Sequence, residues 1–270
     1  MEQRVSIAIT EGVADVRLVR ADKMNALDAQ MFEALVAASD RLANEKGLRA
    51  VVLSGEGRAF CAGLDMGRFA AMKDNGGHGI PGGEKRDLSI RSHGLANFAQ
   101  QAVWGWRQLP VPVIAAIHGV AFGGGFQLAL GADMRFLAPD ARMSIMEIKW
   151  GLVPDMAGTP ILATLVRDDI LRELTYTGRI FSAQEALSYG LATRICDDPR
   201  AAALEAATEI AGKSPDAIRA AKRMLNNLSV DPGPALLAES VEQQKLLGSA
   251  NQLEAVSANI EKRPPRFADV

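Results

Sequence analysis

One arrangement occurs twice in this 270-residue chain and constrains its fold more than any other feature: a short apolar run leads to glycines and then to a helix-compatible segment. The first copy is Ala50-Val51-Val52-Leu53, which stops at Ser54-Gly55-Glu56-Gly57. The second is Val113 to Ile117, followed by glycines at 119 and 123–125 and then by Phe126 to Leu130. Short apolar runs bounded by glycine are typical of buried strands. The sequence therefore predicts an α/β fold whose strands lead through glycine turns into helices.

The first forty residues predict a hairpin and a helix. Apolar residues alternate on both sides of Glu11-Gly12, which is the pattern of a β-hairpin. Asp28 then precedes a helical pattern that continues to Leu42, and we expect this helix to end near Lys46-Gly47. Further short strands are predicted at 134–137 and 143–145.

The chain divides by composition into a core and a C-terminal region. Residues 1–198 hold the strand and glycine patterns, and residues 199–270 are alanine-rich and helical, with a helix predicted to begin at Ser214-Pro215. The last helix is expected to end before Arg263-Pro264-Pro265. The glycine-rich segment 74–85 predicts a surface loop of the kind that often covers a site.

Charge and composition exclude several classes of function. Lys and Arg number 30 against 32 Asp and Glu, so the net charge of −2 predicts no nucleic-acid partner. No apolar run is long enough to span a bilayer and no basic leader is present, so we expect a cytoplasmic protein without a membrane partner. Neither cysteine has a CxxC partner and the three histidines lack metal-binding spacing, so no metal site is predicted.

Both glycine turns predict backbone N–H groups that are free to bind an anion. The first extends from Gly57 to Met66 and the second is Gly123-Gly124-Gly125, and each lies between a strand and a plausible helix. Free donors at such a turn can hold an oxyanion if the two turns converge. Two other interpretations exist: the glycines only permit tight turns, or they form a dinucleotide fingerprint. The fingerprint fails because Leu128 occupies its third glycine position.

The same segments resemble the crotonase superfamily, which includes enoyl-CoA hydratases and isomerases. The resemblance is carried by GRAFCAGLDM at 57–66, IAAIHGVAFGGGFQLALGADMRF at 114–136 and MEIKWGLVPDMAGT at 146–159. It begins at KMNAL, residues 23–27, and continues through GRIFSAQEALSYGLATRI at 178–195 to EKRPPRF at 261–267. The resemblance thus covers nearly the whole chain, and its motifs occur in the family's order.

This resemblance implies a fold, an assembly and a substrate class. The fold is an α/β spiral of ββα units with a C-terminal helical region, assembled as a homotrimer or homohexamer. The shared chemistry is stabilisation of a coenzyme A thioester enolate by two peptide N–H groups, which correspond here to Leu64 and Gly124. Coenzyme A enters as part of the acyl-CoA substrate, and no separate cofactor is expected. The coenzyme A contacts of the family fall at four positions: Lys23, Ala62, Asp65 and Met66.

The resemblance also implies which side chains move protons. Glu147 corresponds to one of the two glutamates of family hydratases, whereas Gln127 occupies the position of the other. Glutamine can hydrogen-bond a water or a substrate group but cannot accept a proton, which argues against a two-glutamate hydration mechanism. Asp155 resembles the second acid of the dienoyl-CoA isomerase branch, although those isomerases also carry an aspartate where this chain has Gln127.

Three functions therefore stay open at this point. Double-bond isomerisation of an enoyl- or dienoyl-CoA by Glu147 and Asp155 is favoured, 2-enoyl-CoA hydration is the alternative, and a catalytically weak acyl-CoA-binding protein is the third. Asp155 has a competing structural role as a turn or helix-capping residue. Cys61 and His118 are predicted to be structural, Cys61 as a packing residue and His118 as a partner of the backbone.

Overall fold

The structure is a computed structural model, and it describes residues 3–67, 88–228, 243, 245–246 and 249–269. The strands are β1 Val5–Thr10, β2 Val13–Leu18, β3 Ala50–Gly55, β4 Val113–Ile117, β5 Val120–Phe122, β6 Met134–Leu137, β7 Arg142–Ser144, β8 Phe181–Ser182 and β9 Arg194–Ile195. The helices are α1 Ala29–Ala43, α2 Phe98–Gln108, α3 Gly124–Leu130, α4 Gly158–Leu162, α5 Asp168–Thr177, α6 Ala183–Ser188, α7 Pro199–Ala211, α8 Pro215–Asn226 and α9 Ala250–Glu261. Two 3-10 turns lie at Ala21–Lys23 and Glu147–Trp150.

The strands form two sheets. Six strands pair in the order β1-β2-β3-β4-β6-β9, with β1 antiparallel to β2 and the remaining pairs parallel. A smaller sheet has the order β5-β7-β8, with β5 parallel to β7. This mixed α/β architecture confirms the predicted fold class.

The central parallel strands β3 and β4 are buried on both faces, which explains their continuous apolar sequence. On one face, alternate residues of β3 and β4 such as Val51 and Ala115 pack into the core that includes α1, α2 and α3. On the other face, Val52 and Ile114 contact α7 through small residues such as Ala203. Helix α7 therefore covers the sheet directly.

Most predicted elements of the first half are confirmed. The hairpin turns at Glu11-Gly12, and Asp28 caps α1 by accepting a hydrogen bond from the Met31 N–H at 2.8 Å. The expected end of α1 near Lys46-Gly47 is wrong, because the helix ends at Ala43. The short strand β5 was not predicted. The segment 74–85 lies outside the described residues.

The C-terminal helices begin and end close to their predicted positions, and a buried lysine attaches α8 to the sheet. Helix α8 begins at Pro215, and α9 ends at Glu261. The Lys222 ammonium, 6% exposed, donates to Val111 O and to Asp133 Oδ2, both at 2.8 Å. The division between residues 1–198 and 199–270 stays a prediction.

Candidate active site

The two glycine turns lie against each other through their backbones. Cys61 in the first turn pairs with Ala121 of β5, and the Phe122 N–H donates to Cys61 O at 3.1 Å. A Cβ atom added to Gly63 would lie 2.5 Å from Phe122 O and 3.8 Å from the Gly124 nitrogen. The predicted convergence of the turns is therefore present.

Each turn presents an N–H group without a hydrogen-bond partner in the part of the chain that the structure describes. Leu64 lies beside Leu27, whose N–H donates to Gly63 O at 2.8 Å and whose oxygen accepts from Asp65. Neither the Leu64 N–H nor the Gly124 N–H donates a hydrogen bond to any residue that the structure describes. Gly124 is the first residue of α3, where N–H groups have no intrahelical partner. Two such neighbouring donors can bind one negatively charged oxygen.

The three glycines of the second turn serve two different needs. Gly123 has φ +50°, which side-chain-bearing residues rarely adopt. Gly124 and Gly125 have ordinary φ angles and are needed for space instead. A Cβ at Gly124 would lie 2.8 Å from Leu27 Cδ1 and 2.9 Å from Met156 Sδ, and one at Gly125 would lie 2.3 Å from a backbone oxygen of the first turn. The interpretation that these glycines only permit a tight turn therefore accounts for Gly123 alone.

Glu147 lies next to the second glycine turn, which carries the Gly124 N–H. It begins the 3-10 turn that follows β7, and its side-chain Oε1 would lie 3.5 Å from a Cβ at Gly123. Burial raises the pKa of the Glu147 carboxyl; its own backbone N–H and a Gln127 hydrogen bond oppose the rise, and the Asp155 charge adds to it. Glu147 is 9% exposed, and its Oε2 has no hydrogen-bond partner among the described residues. A buried carboxyl with a raised pKa can accept and return protons near neutral pH.

Gln127 is held by protein groups on both ends of its amide. Its Nε2 donates to Glu147 Oε1 at 2.6 Å, and its Oε1 accepts from the N–H groups of Met156 at 2.9 Å and Gly158 at 3.0 Å. Only 1% of Gln127 is exposed. One Nε2 hydrogen is left without a partner among the described residues, so contact with a water or substrate group stays a prediction beside this structural role.

Asp155 lies close enough to Glu147 for its charge to raise the pKa of that carboxyl. Asp155 itself keeps an exposed surface, yet desolvation by the surrounding protein atoms raises its pKa. The helix-capping alternative is wrong, since α4 has Ala157 at its N-cap position and no side-chain cap. The alternative role of Asp155 as a turn residue stays a prediction. The role of Asp155 as a second proton carrier stays a prediction.

The four predicted coenzyme A contacts lie around the first turn. Lys23 and Met66 are exposed, and the Ala62 N–H is already used by Met24 O at 2.9 Å. Partial burial would raise the pKa of Asp65, but the Gly67 N–H and the Arg20 guanidinium, 2.6 Å away, lower it. The Asp65 carboxylate therefore stabilises the loop that carries it, and its contact with coenzyme A stays a prediction.

Asn25 is a structural residue whose role was not predicted. It is fully buried with φ +54°, and its Nδ2 lies within hydrogen-bond distance of Glu56 O, Ala59 O and Phe60 O. Asparagine tolerates this left-handed conformation better than most residues, which is the one sequence signal available. Asn25 thereby fixes the path of the first glycine turn.

The predictions for Cys61 and His118 are confirmed. Cys61 is fully buried, its Sγ lies 3.1 Å from Asn25 O, and burial raises the pKa of its thiol to about 12. His118 Nε2 lies 2.9 Å from Gly57 O. Among the described residues, no group of three or more His, Cys, Asp or Glu side chains could hold a metal ion, and no helix is long and apolar enough to cross a membrane.

Comparison with known proteins agrees with this geometry. Residues 8–270 match the family described as enoyl-CoA hydratase/isomerase. A probable enoyl-CoA hydratase of Bacillus subtilis is 32% identical over 97% of this chain and 98% of that protein. The carnitinyl-CoA dehydratase of Proteus mirabilis is 34% identical over 99% of both chains. The crystal structure of an enoyl-CoA hydratase from Bacillus anthracis has a TM-score of 0.87 at 32% identity, covering 98% of this chain and 99% of that one.

Proposed function

The chain belongs to the enoyl-CoA hydratase/isomerase family, and on this premise we propose that it relocates protons on an enoyl- or dienoyl-CoA and so moves a double bond along the acyl chain. The observation that carries the proposal is the position of Glu147 beside the second glycine turn, whose Gly124 N–H, like the Leu64 N–H of the adjoining turn, has no partner among the described residues. The thioester oxygen accepts a hydrogen bond from each of these two N–H groups. Negative charge that develops on that oxygen is then stabilised where it forms.

Glu147 supplies the proton transfer. Its carboxylate removes a proton from the α carbon of the thioester, and the C–H electron pair moves into the carbonyl to give an enolate conjugated with the remaining double bonds. The protonated acid then returns a proton at another carbon of the conjugated system as the carbonyl re-forms. Asp155 serves as a second carrier when the two carbons lie far apart. Burial raises the pKa of both carboxyl groups, which favours their taking up a proton from the substrate.

Gln127 supports isomerisation over hydration. Addition of water by two carboxylates needs both groups to handle one water, and here one of the two positions holds an amide that cannot take a proton. Two Gln127 hydrogen bonds to Met156 and Gly158 further commit its oxygen to the protein. Hydration of a 2-enoyl-CoA is the second candidate, and the names of the hydratase and dehydratase relatives favour it.

Assembly as a homotrimer or homohexamer is part of the proposal. Exposed apolar residues occur on the 3-10 turn and near the adjoining end of α5: Ile148, Trp150, Leu152, Val153, Tyr176 and Ile180. Several exposed apolar residues in two adjoining segments are typical of a protein interface. Light scattering of the purified protein distinguishes trimer from hexamer, and a monomer would contradict this part of the proposal.

Two substrates separate the candidate functions. Purified protein is incubated with 3,5-dienoyl-CoA and with 2-enoyl-CoA. With the first substrate we expect a new absorbance at longer wavelength, because the product diene is conjugated with the thioester carbonyl and the substrate diene is not. Formation of hydroxyacyl-CoA from the second substrate alone would favour hydration. Tight calorimetric binding of acyl-CoA without any product would favour a binding protein. Glu147→Gln is expected to abolish turnover while acyl-CoA binding remains, and full activity in this variant would contradict the assignment of the base.

A further inference from the structure

We propose that Gln127 is a positioning residue that confines proton transfer to a single oxygen of Glu147, Oε2. Gln127 also fixes the position of the loop bearing Asp155 relative to the Glu147 carboxyl. The inference deepens the proposed function and rests on it for its catalytic meaning. Its structural basis is the set of three hydrogen bonds that the buried Gln127 amide makes to Glu147, Met156 and Gly158.

The orientation of the Gln127 amide is fixed by backbone donors. Its Oε1 accepts from the N–H groups of both Met156 and Gly158, and an N–H group can only donate. Rotating the amide by half a turn would place the Nε2 hydrogens against these two N–H groups. The orientation with Nε2 toward Glu147 is therefore the one that satisfies all partners.

This orientation decides which Glu147 oxygen can carry a proton. Oε1 receives the Gln127 N–H at 2.6 Å. A carbonyl oxygen accepts a hydrogen bond better than a hydroxyl oxygen does, so this hydrogen bond favours the protonated acid that carries its proton on Oε2. Oε2 is buried and has no hydrogen-bond partner among the described residues. The proton removed from the substrate is thus taken up by Oε2 and given back from Oε2.

The same amide sets the position of the loop that carries Asp155. The two N–H groups that meet Oε1 flank Ala157, which has φ +68° and ψ +8°, a conformation that alanine rarely adopts. A Cβ at Gly158 would lie 2.7 Å from Gln127 Oε1, so only glycine permits this approach. Gln127 therefore connects the loop after Asp155 with the Glu147 carboxyl through one rigid group.

A neutral amide at position 127 also keeps a second charge away from Glu147. Helix α3 carries no charged residue, and among the described residues Asp155 is the charged group that raises the pKa of Glu147. The nearby helix α5 carries exposed charged side chains, several paired with one another or with Arg179. A carboxylate at position 127 would oppose Oε1 at about 2.6 Å, a distance at which two carboxyl groups share one proton and titrate as a pair.

Gln127→Glu tests this inference because a glutamate oxygen can still accept both loop N–H groups. At neutral pH we expect kcat for double-bond isomerisation to fall at least tenfold with a smaller change in KM, and the acidic limb of the pH profile to move upward by at least about one unit. Gln184→Glu, the same change at an exposed position of α6, is the matched control and should behave as wild type. A wild-type rate and profile in Gln127→Glu would overturn the inference, as would a rate loss without any change in the profile.

A titration of the free protein separates this inference from the proposed function. Carboxyl carbons of glutamate are labelled with ¹³C, and the Glu147 signal is identified by its loss in Glu147→Gln. We expect the midpoint of the Glu147 signal to rise in Gln127→Glu and to stay in place in Gln184→Glu. If wild type acts on no thioester but this midpoint rises, the proposed function fails while the Gln127–Glu147 coupling stands. An unchanged midpoint overturns the coupling whatever the activity.

Discussion

Gly63→Ala should damage the proposed oxyanion site without removing any side chain from it. Gly63 has φ +88°, and a Cβ there would lie 2.5 Å from Phe122 O in the neighbouring turn. The left-handed conformation costs about 1–2 kcal/mol for alanine, and overpacking adds about 1–3 kcal/mol. We therefore expect the free energy of unfolding to fall by about 2–5 kcal/mol.

Gly63→Ala should also lower kcat, because the overlap between the added Cβ and Phe122 O is relieved by movement of the two turns. To reach ordinary contact, the Gly63 turn and Phe122 must separate by about 1 Å, and this moves the Leu64 N–H away from the Gly124 N–H. Loss of one well-placed oxyanion donor costs about 10²–10³ in kcat. Gly63→Ala should therefore lower kcat about a hundredfold or more, with the Glu147 carboxyl still in place.

Gly190→Ala supplies the control for backbone strain. Gly190 has φ +83°, and a Cβ there would lie 2.9 Å from Leu165 O, again a backbone oxygen, but outside both glycine turns. Both variants are assayed for kcat with the best thioester substrate at a temperature where each is folded by circular dichroism. Similar stability losses with a rate loss confined to Gly63→Ala are expected. A folded Gly63→Ala protein with a kcat within threefold of Gly190→Ala would refute the reasoning.

Three further predictions concern buried polar groups. Burial raises the pKa of Glu147 in the folded state, so the favourable contribution of this carboxyl to stability is complete below the ordinary carboxyl pKa and is lost as pH rises through the folded pKa. Glu147→Gln should therefore raise Tm more near neutral pH than in acid. An equal Tm shift at both pH values would contradict this. Lys222→Met removes the ammonium partner of the Asp133 carboxylate and should lower the free energy of unfolding by about 3 kcal/mol in urea titrations. An unchanged free energy of unfolding would show that water solvates Asp133. Asn25→Ala leaves the buried Ala59 and Phe60 carbonyls without this donor and should cost about 2–4 kcal/mol in the same assay; a loss below about 1 kcal/mol would show that water replaces it.

The fold was predictable where local chemistry decides the structure. The β1-β2 hairpin and the Asp28 cap depend on neighbouring residues, so their sequence signals were sufficient. Strand β5 was missed because its three residues lie between glycines, and only pairing with the distant β7 makes them a strand. The end of α1 was misplaced for a related reason, since helix ends depend on capping geometry more than on the apolar pattern.

The site was predictable as a set of positions but not as a set of contacts. The glycines indicated free N–H groups at Leu64 and Gly124, and the family motif indicated Glu147. The hydrogen bonds from Met156 and Gly158 to Gln127 join residues about thirty positions apart, so no local pattern could reveal them. Gln127 has both a structural role and a role in the proposed mechanism, because a buried amide needs hydrogen-bond partners for its oxygen and for its nitrogen.

Infrared difference spectroscopy of a bound thioester tests the proposed oxyanion site most directly. A saturated acyl-CoA with a ¹³C-labelled thioester carbonyl, which cannot be isomerised, is bound to wild type, Glu147→Gln and Gly63→Ala. If the Leu64 and Gly124 N–H groups bind the thioester oxygen, the C=O stretch should move to lower frequency in wild type and in Glu147→Gln, and the shift should shrink in Gly63→Ala. A bound thioester whose carbonyl keeps its solution frequency in wild type would contradict the proposal.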